Sequence, residues 1–293
     1  MLLLFVTPSC TRQADDTGPR YGASETHQDL KVYKFAVHPL HNPAKLVEVY
    51  QPLLDSLNSR LSGARLELEA SRDYASFEEK YKAGKPEFLL PNPWQTLQAM
   101  TVKYHVIAMA GESADFRGLF IVRRDSDITR PLELKGRSVS YPSPTALAAC
   151  IMPQYFLHLQ GLDVNRDIVN RYVGSQESSI MSVYLKQSSV GATWPPPWRA
   201  FQKNHPREAA ELKIVWETDS LINNSVMVRN DVPEQLSVQV RSLLVGLAGS
   251  DDGRALLKHI ETARFIVAGN PDYDVVRNYI TRFEREVRPV EQR

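Results

Sequence analysis

Short apolar runs alternate with amphipathic stretches along most of the chain. Val32–Val37 reads as a strand, ended by the loop His38-Pro-Leu-His-Asn-Pro43. Leu46, Val49, Tyr50, Leu53, Leu54 and Leu57 then recur at three- and four-residue spacing, which predicts a helix with one buried face. Leu66–Leu68 is a second strand, and Asp73 caps a helix that runs to Lys82 and stops at Gly84 and Pro86. Glu87–Leu90 is a third strand, Pro91-Asn-Pro93 leads into a helix at Trp94, and His105–Ala110 is a fourth strand. This β-α-β-α rhythm predicts a layered α/β lobe with a largely parallel sheet.

A second segment repeats the rhythm. Phe116–Arg123, Ser138–Tyr141, Val169–Val173, Val190–Thr193 and Leu212–Trp216 read as strands. Helices are expected over Thr145–Gln160, kinked near Pro153, and over Ser175–Lys186. Ser225–Arg229 is strand-like, and Pro233–Ala248, Gly253–His259 and Tyr273–Arg285 are helical. With 293 residues the chain is longer than one core usually serves, so two compact lobes are expected.

Charge narrows the function classes. The 35 Lys+Arg and 34 Asp+Glu leave a formal +1, so no basic field supports nonspecific nucleic-acid binding. No apolar run reaches the roughly 20 residues of a membrane-spanning helix. The two cysteines, Cys10 and Cys150, form no CxxC pair. Cys150 sits in an apolar run and reads as a buried small residue. Cys10 follows Met1-Leu-Leu-Leu-Phe-Val6 and Thr7-Pro-Ser9 and precedes a polar stretch to Gln28. This order is similar to a bacterial lipoprotein signal, so lipidation of Cys10 and a tether over residues 1–29, outside the fold, are expected.

With Pro131-Leu-Glu-Leu-Lys-Gly-Arg-Ser-Val139 as a landmark, nearly everything after Leu30 resembles the phosphate/phosphite/phosphonate-type periplasmic substrate-binding proteins of ABC importers. Phe35-Ala-Val-His-Pro39 with Tyr50-Gln-Pro-Leu53, Gly174-Ser175, and Val228-Arg229 with Asp251-Asp-Gly253 and Asp272-Tyr273 complete the pattern in family order. The resemblance implies a type II periplasmic binding protein. In that fold two α/β lobes with mixed sheets are joined by two crossing strands, and a small-molecule ligand is held between them. The lobes are expected at 30–115 with 224–293, and at 116–223, crossing near Phe116–Arg123 and Trp216–Val226. It further implies a periplasmic monomer without enzymatic chemistry or cofactor, working with a membrane permease or other membrane transport component. A ligand-sensing lipoprotein and an enzyme are the rivals, the latter without a GxSxG, P-loop or GxGxxG motif to support it.

The binding residues implied by the resemblance depart from the family pattern. Counted back from Pro153, the Ser-Thr-Ser-Gly oxyanion clamp falls on Ala146-Leu-Ala-Ala149; a slide to Ser143-Pro-Thr145 recovers two hydroxyls. Gln176 and Glu177 stand where a histidine is common, and Trp194-Pro-Pro-Pro-Trp198 follows Thr193 as a stiff apolar lip. Asn92-Pro-Trp94 and His38-Pro-Leu-His41 are expected opposite, with Tyr141, Thr145, Ala146, Asn223 and Asn224 completing the candidate binding set. Alkyl and indole walls in place of hydroxyls favour a ligand more apolar and bulkier than phosphonate, such as a lipid, a sterol or an aromatic or cationic metabolite held by Trp94, Trp194 and Trp198. A conventional phosphonate or phosphite ligand is the alternative. Glu78-Glu79 and the charges of the last helix read as solvated faces, and His38 and His41 as hydrogen-bonding histidines rather than metal ligands.

Overall fold

The computed structural model describes residues 30–290, so Cys10 and its expected lipidation lie outside the described residues. Strands β1 (Lys31–Val37), β2 (Ala64–Glu69), β3 (Phe88–Leu90) and β4 (Tyr104–Ala110) share one sheet with β10 (Ser225–Arg229) and β11 (Phe265–Val267). Its order is β11-β4-β10-β3-β1-β2. β1 pairs in parallel with β2 and β3, whereas β10 runs antiparallel to β3 and β4, and β11 antiparallel to β4. The sheet is thus mixed: the chain returns to it from the opposite end and inserts β10 between β3 and β4.

The second sheet holds β5 (Leu119–Arg123), β6 (Ser138–Tyr141), β7 (Val169–Tyr172), β8 (Val190–Thr193) and β9 (Leu212–Glu217) in the order β7-β6-β8-β5-β9. β6 is parallel to β7 and β8, and β5 is antiparallel to β8 and β9.

Helices cover the sheets where the apolar stripes predict them. α1 (Pro43–Asn58) buries all six stripe residues from Leu46 to Leu57. Asn42, Asp73 and Asn92 cap α1, α2 (Tyr74–Lys82) and α3 (Pro93–Met100), each accepting a backbone N–H three residues on. The expected helix over Thr145–Gln160 is a widened π turn, Leu147–Ile151, running into α4 (Met152–Leu159). The wide turn includes Ala149, the residue whose carbonyl the ring of Pro153 would crowd in a regular helix. α5 (Gln176–Tyr184) is capped by Ser175.

Trp194–Trp198 is no loop lip, in contrast to the expectation. Trp194 is the N-cap residue of α6 (Pro195–Asn204), and the three prolines fill its first turn, where missing N–H groups have no intrahelical partner to lose. α7 (Pro206–Ala210), α8 (Glu234–Gly246), α9 (Asp251–His259) and α10 (Asp274–Glu286) complete the chain. Ser250 caps α9, accepting the Gly253 N–H.

The chain passes between the sheets at 111–118 and 218–224. These two segments bond to each other, Thr218 N–H to the Gly118 carbonyl at 2.9 Å and Leu221 N–H to that of Phe116 at 2.9 Å. Gly118 must lack a side chain: a Cβ there would lie 2.7 Å from the Ala148 carbonyl oxygen and 2.9 Å from the Pro153 ring. A third link is made by α10, which packs against α3 of the first lobe and also reaches the second. Tyr155 meets the ring of Tyr279 edge-on at 5.3 Å and donates to Glu286 Oε2 at 2.8 Å. Arg288 reaches Gln154 Oε1 at 2.8 Å and the Pro144 carbonyl at 3.3 Å. One apolar cluster runs through both lobes, from Leu89 and Tyr104 through Phe116 and Trp194 to Phe120 and Tyr141.

Candidate solute-binding cleft

The carboxyl ends of β1, β3, β4 and β8 converge between the sheets, the place where open α/β folds keep their ligands. Hydrogen bonds cross this interface directly. Tyr74, the first residue of α2, takes a bond from Gln176 Nε2 at 3.1 Å; Gln176, the first residue of α5, takes one on Oε1 from Thr193 at the end of β8, at 2.9 Å. The relay is buried, with Tyr74 and Gln176 3% and 2% exposed.

A second set of bonds surrounds Thr145. Its hydroxyl donates to Glu78 Oε1 at 2.7 Å and lies 3.0 Å from the Ser143 hydroxyl, while its carbonyl accepts from Asn92 Nδ2 at 3.2 Å. Gln95 Nε2 also donates to Glu78 Oε1, at 3.2 Å. Burial pushes the Glu78 carboxyl above its ordinary range, against the lowering effect of these two donors. Just beyond Thr145, the first bond of the helical run links Ile151 N–H to the Ala146 carbonyl. The N–H groups of Leu147, Ala148 and Ala149 precede that bond, at the positive end of a run continuing to Leu159. Thr145 thus brings a hydroxyl to the interface, whereas Ala146, buried at the helix start, has no polar side chain.

A small cavity of about 20 Å³ also lies between the sheets, bounded by Leu40, Tyr50, Leu90, Trp194, Asn223 and Asn224. Asn224 is 4% exposed, and its Oδ1 has no partner among the described residues. Asn223 is held in place by Nδ2 bonds to the Gly111 and Glu112 carbonyls at 3.4 and 3.2 Å. His38 donates from Nδ1 to the Leu90 carbonyl at 3.0 Å and meets Tyr74 edge-on at 6.3 Å. Burial lowers its pKa to about 4, and burial with Lys45 nearby lowers that of half-buried His41 to about 4, so both imidazoles are neutral at pH 7.

At the edge of the same cavity, which Asp115 and Glu261 help to line, an ion-pair cluster also ties the lobes. Arg199 of α6 bonds to both Asp115 oxygens at 3.2 Å and to Glu261 Oε2 at 2.7 Å. Among the described residues no cluster of three or more His, Cys, Asp or Glu side chains is placed to hold a metal, and no helix is long and apolar enough to cross a membrane.

Four sequence-based site assignments are corrected. Trp94 is 1% exposed in the core cluster that includes Leu97 and Tyr104. Trp198 stacks on Phe201 at 6.0 Å inside a separate cluster of the second lobe, so of the three indoles only Trp194 borders the cavity. Glu177 is half exposed and pairs with His205 at 3.3 Å, because it follows Gln176 on the helix and turns to the outer face. Tyr141, the last residue of β6, is fully buried, its ring 5.9 Å from that of Tyr172.

Glu78 corrects the opposite error: expected in solvent, it is 3% exposed. Tyr74, Phe77, Glu78 and Tyr81 are spaced one, four, five and eight residues into the helix and form its buried stripe, a pattern visible in the sequence once Glu78 is scored by position rather than charge. Tyr74 and Gln95 were likewise outside the expected site.

Comparison with known proteins gives this arrangement a context. A family model described as ABC transporter, phosphonate, periplasmic substrate-binding protein matches residues 35–273. A binding-protein component of an ABC phosphonate transporter from Pseudomonas aeruginosa superposes with a TM-score of 0.80 over 88% of both chains, at 16% identity. PhnD1 from Prochlorococcus marinus, solved in complex with methylphosphonate, gives 0.79 over 88% of this chain and 100% of that one, at 18% identity. In sequence, the probable phosphite-binding protein PhnD1 of Prochlorococcus marinus is 22% identical over 181 residues, which span 57% of this chain and 61% of the relative's length. The match to more than half of its length places this chain in the phosphonate-type family of periplasmic substrate-binding proteins of ABC transporters, a family of carriers rather than enzymes.

Proposed function

We propose that the chain is the solute-capturing subunit of an ABC importer and that its solute is a compact oxyanion of the phosphonate or phosphite class. The observation that carries the reading is the Thr145 hydroxyl at the start of the helical run 147–159, turned toward the opposite lobe. A hydroxyl, three leading N–H groups and the helix dipole together favour an anion there. Asn92, Gln176, Thr193 and Asn224 surround the same interface with neutral polar groups.

A lipid or sterol ligand lacks this support. The small cavity holds about one water, whereas pockets for ligands of drug size span roughly 300–1,000 Å³. The apolar residues expected to line such a pocket, Trp94 and Trp198, pack into the cores instead. The closed form, with solute between the lobes, is what a membrane permease would read, and solute drives closure only by binding that form better.

Tryptophan emission tests the reading, because Trp194 borders the cavity. Titration of the full chain with phosphite and with methylphosphonate is expected to give saturable changes that Trp194→Phe removes. Saturation by apolar ligands with no response to either oxyanion would overturn it.

A further inference from the structure

The turn that follows Thr145 is one a helix rarely adopts unaided. Leu147–Ile151 is wound wide, and its first bond spans five residues, from Ile151 N–H to the Ala146 carbonyl at 3.1 Å. Such turns are uncommon and occur mostly at functional sites, where neighbouring groups hold them in place.

Here the neighbour comes from a segment distant in sequence. Arg288, on the arm after α10, donates from Nε to Gln154 Oε1 at 2.8 Å and from Nη2 to the Pro144 carbonyl at 3.3 Å. Cys150 Sγ lies 3.7 Å from the same Nη2. One planar fork therefore touches residues before, within and after the wide turn, a span that a single ammonium point charge does not match. Both ends of this bridge are anchored. Gln154 is fully buried and donates from Nε2 to Asn170 Oδ1 of β7 at 3.1 Å. The arm is tied down by Asn165 Nδ2 on the Val287 carbonyl at 2.9 Å, and the guanidinium lies 5.3 Å from the centre of the Phe283 ring. Among the described residues Arg288 bonds to no carboxylate; its remaining acceptor is the Pro289 carbonyl at 2.9 Å. The guanidinium thus serves geometry rather than charge pairing.

Resting on the oxyanion reading above, we propose that Arg288 is a positioning residue of the cleft. It fixes the wide turn 147–151 from behind, so that the leading N–H groups and the Thr145 hydroxyl stand ready for the solute. It does not touch the solute itself.

Isothermal titration of the full chain with methylphosphonate reads the effect. Arg288→Ala should weaken binding by about 10- to 100-fold, the size expected when hydrogen bonds from a charged donor are lost. Arg288→Lys should weaken it comparably, because the charge stays but the bridge between Pro144 and Gln154 does not. Millimolar ethylguanidinium should restore most of the affinity of Arg288→Ala, and ethylammonium should restore none, a readout that loss of stability alone would not move. Tyr155→Phe, which releases the same arm from the Tyr155–Glu286 bond but leaves the guanidinium in place, should bind as wild type does.

Wild-type affinity in either Arg288 variant, no rescue by ethylguanidinium, or an equal loss in Tyr155→Phe would overturn the inference and leave the oxyanion reading standing. Should Arg288→Ala not fold, Arg288→Lys, which keeps the charge and most of the stem, decides. Failure of methylphosphonate to bind wild type would overturn the oxyanion reading and this inference with it.

Discussion

Replacing Gln176 by Leu should open the cleft without unfolding either lobe. Gln176 donates to Tyr74 across the interface and accepts from Thr193, and the three side chains are 2%, 3% and 0% exposed. Leucine is of similar size but supplies neither function, so the Tyr74 oxygen loses its donor and the Thr193 hydroxyl its acceptor. Each unsatisfied group carries a penalty of about 1–3 kcal/mol when buried and little when water can reach it. The penalty therefore falls on the closed arrangement. Taking about 2 kcal/mol as the lower end of the sum, the closed-to-open ratio should drop about 30-fold. Small-angle scattering of the ligand-free chain reads this as a larger radius of gyration in the variant. Tyr74→Phe should couple to Gln176→Leu in a double-mutant cycle, because both substitutions remove the same bond. Identical scattering curves for wild type and variant, or additive effects in the cycle, would refute the claim that this relay holds the lobes together.

Three further outcomes follow from other parts of the structure. Neutral His38, whose pKa falls from 6.5 to about 4 on burial, contributes stability that is complete above pH 6.5 and is lost as pH falls toward 4. In urea titrations the stability difference between wild type and His38→Gln should shrink by about 3 kcal/mol over that window; His41, lowered likewise, and Glu78, raised and acting in the opposite sense, contribute to both proteins, so the difference isolates His38. Gly118→Ala places a methyl 2.7 Å from the Ala148 carbonyl, and thermal melting should register about 1–3 kcal/mol of destabilisation. Trp198→Ala should destabilise by about 3–5 kcal/mol in urea titrations yet leave solute affinity unchanged below the melting transition, since Trp198 packs with Phe201 away from the cavity.

Much of the architecture was legible because local chemistry and global fold agree. The stripe Leu46–Leu57, the caps Asp73 and Asn92 and the strand Ser138–Tyr141 each carry their own signal, and the structure uses all of them. β11 and α7 are three and five residues long, too short for any period to show. The binding residues were harder to identify because residue type alone does not say which way a side chain points. Tryptophan next to proline suggested a lip, but prolines also open helices, and an indole is as much at home in a core. Glu78 was hidden by the neighbouring Glu79: two adjacent acids look like a solvated face until the helix stripe assigns one of them to the interior. Thr145 became significant only when the fold set Glu78 opposite it.

The most direct test of the account is the ³¹P resonance of methylphosphonate titrated with the full chain. Binding at the start of the helical run should give a bound resonance distinct from the free one at stoichiometric protein, and Thr145→Val should abolish it while the protein stays folded. A spectrum that keeps only the free resonance with wild type, or a bound resonance that survives in Thr145→Val, would contradict the assignment of an oxyanion to this cleft.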